Sequence, residues 1–142
     1  MALCAPAHAQ IFTGLPVVID GDTLAIGTER IRLQGIDAPE LAQTCGGWLC
    51  GRAAREELVR HIGLGQVTCI TNGQDVYGRW LATCSTAAGD IGDWLVRQGL
   101  AVAFVRYSTR YVGAEALARA AHKGVWAGPF VLPWEWRARH RE

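Results

Sequence analysis

Between positions 18 and 40 the chain reads "VIDGDTLAIGTERIRLQGIDAPE", which sets the acids Asp20, Asp22, Asp37 and Glu40 around Arg30 and Arg32. Carboxylates hold hard cations or take a proton from water, and a guanidinium fork can bind two phosphate oxygens at once. Together they are the residue types that chemistry on a phosphate group needs. Each piece by itself has a plainer reading. Asp20-Gly21-Asp22 alone is a turn, Arg32 alone is a solvated position on a strand, "DAPE" is a strand exit, and "YGR" at 77–79 is a hairpin with an exposed arginine. Only the elements that carry these residues can decide whether they meet.

Those elements read as follows. "IFTGLPVVID" is a first strand interrupted by Gly14 and Pro16, with Asp20-Gly21 as its turn. "TLAI" is a short strand, turned back by Gly27. "RIRLQGI" alternates strictly, with Arg30, Arg32 and Gln34 on one face and Ile31, Leu33 and Gly35 on the other, until Pro39 breaks it. Residues 51–62 have helical spacing, with Ala53, Ala54, Leu58 and Ile62 on the apolar side and glycines after them. "QVTCIT" and "RWLATC" are two further strands joined by "NGQDVYG". "DIGDWLVRQG" is a short helix capped by Asp90 and stopped at Gly99, "LAVAFV" is a strand-like run, and a last helix spans about 112–123 ahead of a Trp-rich tail. Strands first, an inserted helix, more strands, then helices: the order predicts an α+β chain, mainly β, built as a five-stranded Greek-key barrel with three helices.

The bulk properties suit one compact domain. With 142 residues, 50% hydrophobic and 19% charged, the chain can bury a real core and is not of disordered type. A net charge of +1 and a pI of about 7.7 leave any attraction to phosphate to local clustering. No apolar run is long enough for a bilayer, so no membrane partner is expected. The opening "MALCAPAHAQ" ends in a small-x-small pattern, read as the remnant of a secretory signal over residues 1–9, with a single domain over 10–142. The plain alternative is an irregular N-terminal tail. Of five cysteines, Cys4 would leave with that leader, and an even four fits a periplasmic or secreted protein. Cys45 and Cys50 share a short loop, while Cys69 and Cys84 lie symmetrically about "DVYG", so the favoured pairs are 45–50 and 69–84. A zinc site would want C-x-x-C spacing, which is absent; free thiols in a reducing compartment are the other alternative.

Taken in order, the blocks "VIDGDTLAI", "RIRLQGIDAPE", "CGRAAREEL", "DVYGRWLA", "IGDWLVRQGLA" and "ALARAAHKGVW" resemble the staphylococcal nuclease-like, or thermonuclease, family over about residues 17–126. The resemblance implies an OB-fold barrel with three helices and calcium (Ca2+)-dependent hydrolysis of DNA and RNA, by a chain expected to be a monomer. Position by position, it makes Asp22 and Asp37 the metal carboxylates, with Ala38 lending a backbone carbonyl where the family usually has threonine. It makes Glu40 the carboxylate that orients or deprotonates the attacking water, Arg32 and Arg79 the phosphate-gripping guanidiniums, and Tyr77 a substrate contact. The chain departs from the family at Val76, where a phosphate-contacting lysine is usual, at Phe104, which stands for an aromatic hydroxyl of the nucleotide pocket, and at that residue's neighbour in the pocket, which is Arg106 here. Those departures bear on nucleotide affinity and leave the hydrolytic set intact.

The chemistry explains why such a set would be assembled. A phosphodiester repels hydroxide, and its transition state gains charge that preorganised cations must neutralise. Few protein oxygens are on offer, so cation affinity is expected on the order of 0.1–1 mM. The rival expectation is a catalytically silent OB-fold module that binds nucleic acid or protein; such a module has no physical use for the acids and arginines together. Five of the six tryptophans, at 80, 94, 126, 134 and 136, are expected to pack the core and tail, and "WEWRARHRE" to be a solvated terminus.

Overall fold

The computed structural model describes residues 9–141; the leader reading for 1–9, save its last residue, and Cys4 lie outside the described residues. The strand expected over 11–20 breaks at Gly14 and Pro16 into β1 (Ile11–Gly14) and β2 (Val17–Asp20). It is followed by β3 (Thr23–Ile26), β4 (Glu29–Leu33), the two-residue β5 (Ile36–Asp37) and helix α1 (Cys50–Ile62). Then come β6 (Val67–Gln74), β7 (Trp80–Thr86), the short β8 (Gly89–Asp90), α2 (Ile91–Arg97), the short β9 (Val102–Ala103) and α3 (Val112–Ala120). A single 3-10 turn at Gly124–Ala127 and helix α4 (Pro133–Arg139) end the chain.

The main sheet runs in the order β1-β6-β7-β4-β3-β2, with β8 pairing β7. Strands β1 and β2 stand at opposite ends of that order, yet only Leu15 and Pro16 separate them in the chain. Two residues span well under 10 Å, so the sheet has to curl until its edges meet. At the meeting point a Cβ on Gly14 would stand 3.0 Å from Cγ2 of Ile26 in β3. Counting β1 and β2 as one bent strand, the barrel has five, as the sequence predicts, and β4 joins β7 in parallel. Leu24, Ile31, Leu33, Val67, Ala82 and Leu95 fill its interior with Leu58 of α1.

Two differences from expectation concern the C-terminal half. The run "LAVAFV" pairs only at Val102–Ala103, against β5. The Trp-rich tail carries a fourth helix rather than a solvated end, giving four α-helices among the described residues where three are expected. Pro133, at the first turn of α4, has no N–H to leave unsatisfied and so starts the helix cheaply. The tail also has a core of its own: Cys45, Cys50, Val102 and Val125 pack with Trp48, Trp126, Phe130, Leu132 and Trp134. Cys45 and Cys50 are at disulfide distance there, and Cys69 and Cys84 are joined as directly opposed partners on β6 and β7.

Candidate active site

Three pieces of chain bring the acids together. The β2–β3 turn carries Asp22, whose N–H is bonded by Asp20 Oδ1 at 3.0 Å. Strand β5 carries Asp37, and the segment after it carries Ala38 and Glu40. Helix α1 clamps these pieces: a Cβ on Gly21 would stand 2.7 Å from Cβ of Ala38 and 2.8 Å from Cβ of Ala54. Only glycine lets the turn sink that far. The Ala38 N–H donates to Asp22 Oδ2 at 2.9 Å, tying turn to strand exit. Gln43, fully buried, accepts from the Glu40 N–H and donates to the Val131 carbonyl at 2.7 Å, so the Glu40 segment is fastened to the tail as well.

Arg32 on β4 points into this group. Its Nη1 donates to the carbonyls of Leu33 (2.8 Å) and Ile36 (3.0 Å), and its Nη2 lies 3.3 Å from Asp37 Oδ1 and 3.4 Å from Asp22 Oδ2. Arg79, on the β6–β7 turn, is held by Asp75: Nε to Oδ2 is 2.8 Å and its backbone N–H to Oδ1 is 3.0 Å. Tyr77 is 79% exposed, and its ring lies 5.5 Å below the Arg79 guanidinium carbon. Asp22, Arg32, Glu40, Tyr77 and Arg79 all line one cleft of about 520 Å³. The guanidiniums expected to grip phosphate therefore face the same space as the acids. Asp37 does not reach that space: its side chain is 0% exposed.

The group that covers Asp37 is one the sequence reading passed over. Arg137 of α4 sets Nη2 at 2.8 Å from Asp37 Oδ2 and Nη1 at 2.9 Å from Oδ1, and the same Nη1 lies 3.1 Å from Glu40 Oε1. Its neighbour one turn back, Trp134, stacks on Phe104 with ring centres 5.0 Å apart and planes 15° from parallel. Trp134, Arg137 and Arg141 line the cleft too. The signal that could have found them is the proline followed by tryptophan and arginine at i, i+3, one helix face rather than a frayed end.

Burial and charge act against each other in this cluster. Burial, then repulsion by Asp22, pushes the Asp20 carboxyl up to about 7. Asp22 is buried as well, but Arg32 and hydrogen bonds from Asp20, Ala38 and Thr23 outweigh that and hold it below the usual carboxylate range. Burial pushes Asp37 up, with the Arg137 fork the first force opposing it. Among the described residues no three His, Cys, Asp or Glu side chains converge as a metal centre. The donor chemistry still suits a hard cation, since Asp22, Asp37 and Glu40 offer carboxylate oxygens and two guanidinium cations are already drawn onto them.

Residues 30–128 match the family described as staphylococcal nuclease homologue. The chain is 34% identical over 126 residues to the succinoglycan biosynthesis protein ExoI of Rhizobium meliloti (strain 1021), covering 83% of this chain and 66% of that protein. It is 33% identical over 147 residues to an uncharacterized endonuclease of Escherichia coli O157:H7, covering 96% of this chain and 89% of the other. It is 34% identical over 116 residues to the probable staphylococcal-like nuclease CAN4 of Oryza sativa subsp. japonica, covering 80% of this chain and 22% of that protein.

Proposed function

Because this chain belongs to the staphylococcal nuclease family, we propose that it is a nuclease that hydrolyses phosphodiester bonds of DNA and RNA with calcium as its cofactor. The observation that carries this reading is the shared cleft of about 520 Å³, which Asp22, Glu40, Arg32 and Arg79 all line. Relatives named as an endonuclease and as a probable nuclease support it.

Asp22, Asp37 and the Ala38 carbonyl are the groups that would hold the cation, which when bound supplies positive charge to a phosphate oxygen and acidifies water. Glu40 orients the attacking water or takes its proton, and Gln43 keeps the Glu40 backbone in place for that task. Arg32 and Arg79 bind the non-bridging oxygens, exchanging part of their present carboxylate contacts for phosphate as charge builds in the transition state. The water oxygen bonds to phosphorus, one ester P–O bond breaks, and the departing oxygen leaves with a proton. The exposure of Tyr77 beside Arg79 supports a role for it as a substrate contact. The two cystine pairs support a periplasmic or secreted setting, where disulfides persist and calcium is plentiful.

The test is digestion of DNA and RNA by the purified protein, with calcium and then with a chelator. Cleavage that the chelator abolishes and that Glu40→Gln loses supports the proposal. Binding without cleavage, indifferent to calcium, would make the chain a silent binding module instead.

A further inference from the structure

Asp37 is the best-shielded acid of the cluster, and every oxygen on it is already taken. Oδ1 accepts from Arg32 Nη2 (3.3 Å) and Arg137 Nη1 (2.9 Å), and Oδ2 accepts from Arg137 Nη2 (2.8 Å). The Arg137 guanidinium lies between Asp37 and Glu40, bonded to both, so a positive group sits where two acids would otherwise repel each other. Oδ1 already accepts two hydrogen bonds, and a divalent ion on Oδ2 would lie against the positive charge of the guanidinium fork, so ion and fork compete for Asp37.

Arg137 is built to leave. Its side chain is 35% exposed and lines the cleft, so the guanidinium has solvent on one side and a path outward. Its helix is anchored elsewhere: Trp134 stacks on Phe104, and Gln43 holds the Val131 carbonyl just before the helix. When the arm swings, Trp134 and Gln43 still hold the start of the helix, but the turn beyond Trp134 loses its tie to the barrel and loosens.

We propose that Arg137 is a tethered counter-cation that competes with the divalent ion for Asp37 and Glu40 and thereby sets the cation affinity of this site. The inference rests on the assignment of Asp37 as a cation ligand made above, and it goes further by naming the residue that controls access to it. A closed state favoured by 10- to 100-fold weakens apparent cation binding by the same factor. Arg137 is a positioning residue in this role, acting through the carboxylates.

The experiment is calorimetric titration of calcium into the substrate-free full chain, comparing wild type with Arg137→Gln and, as a control on the same helix, the exposed Arg139→Gln. We expect Arg137→Gln to bind calcium 10- to 100-fold more tightly and Arg139→Gln to match wild type. In wild type, calcium should raise amide hydrogen exchange over 133–141, a readout that survives even if Arg137→Gln folds poorly. Equal or weaker binding by Arg137→Gln, or exchange over 133–141 that calcium does not raise, overturns the proposal. Tighter binding without any cleavage would keep this inference and sink the nuclease reading. Chelator-resistant cleavage with no calcium bound by either protein would sink this inference and leave hydrolysis standing.

Discussion

Arg137 and Asp37, 100 residues apart in the chain, meet as a two-pronged ion pair with N–O distances of 2.8 and 2.9 Å. The pair joins the last helix to the strand exit of the barrel. It makes a tail that ordinary reading would leave in solvent into one wall of the cleft.

Removing the buried partner should be costly. In Asp37→Ala the guanidinium of Arg32, only 14% exposed, loses its nearest carboxylate, while Arg137 can escape to water. A loss of about 2–4 kcal/mol in unfolding free energy is expected from urea denaturation without added metal. An unchanged midpoint would mean the ion pairs contribute nothing net.

Arg79→Gln should leave the fold intact and remove one of the two phosphate-binding forks. Steady-state kinetics on single-stranded DNA should show kcat lower by about two to three decades, with a smaller change in KM. Arg79→Lys should recover little, because a single ammonium cannot bind two oxygens in one plane. A pure KM effect would reassign Arg79 to ground-state binding.

Gly51, in the first turn of α1, lies directly against the Glu40 backbone, and a Cβ there would overlap the Glu40 carbonyl oxygen. Gly51→Ala must push the Glu40 segment away from the helix. Activity should fall at least tenfold with a stability loss of about 1–3 kcal/mol. Full activity in this variant would show that Glu40 needs no exact placement.

The pH dependence of the β6–β7 hairpin follows from Asp75. Burial opposes its ionisation, but hydrogen bonds from the Arg79 and Tyr77 backbones and the Arg79 side chain outweigh it and lower its pKa. A lowered acid stabilises the fold above its unfolded pKa of 3.8 and loses that contribution as pH falls through the folded value. Asp75→Asn should thus be less stable than wild type by about 1 kcal/mol at pH 7, and the gap should close below about pH 4. A gap that is constant with pH would exclude the ionised form as its source.

The two cystines should separate stability from activity. Cys69–Cys84 closes the longer loop, with a sequence separation of 15, and its double alanine variant should lose about 3 kcal/mol with kcat intact. Cys45–Cys50 spans only 5 and should cost about 2 kcal/mol, but it lies beneath the tail that carries Trp134 and Arg137. Its loss should therefore disturb cation binding and activity more. The reverse ranking in kinetics would place the tail outside the working site.

Much of this was legible in residue order because the relevant forces are local. Alternation in "RIRLQGI" sends Ile31 and Leu33 inward and leaves Arg32 facing the acids, since side chains on a strand switch sides at each step. Asp90 caps α2 by accepting from the Asp93 N–H, a contact within one turn. The Cys69–Cys84 pairing follows from symmetry about a hairpin. The tail was harder. "PWEWRAR" has a helix-starting proline, but a seven-residue helix gains little from its own hydrogen bonds and forms because Trp134 finds Phe104 and Arg137 finds Asp37.

By itself, the order of residues determined the barrel strands, the first three helices, the cystine partners and the residue types gathered for phosphate chemistry, because each depends on neighbours a few positions away or on a hairpin. Only the tertiary structure decided that Asp37 is sealed from the cleft and that Arg137 seals it. That contact joins segments brought together by the folding of everything between them, and no spacing rule reaches across 100 residues.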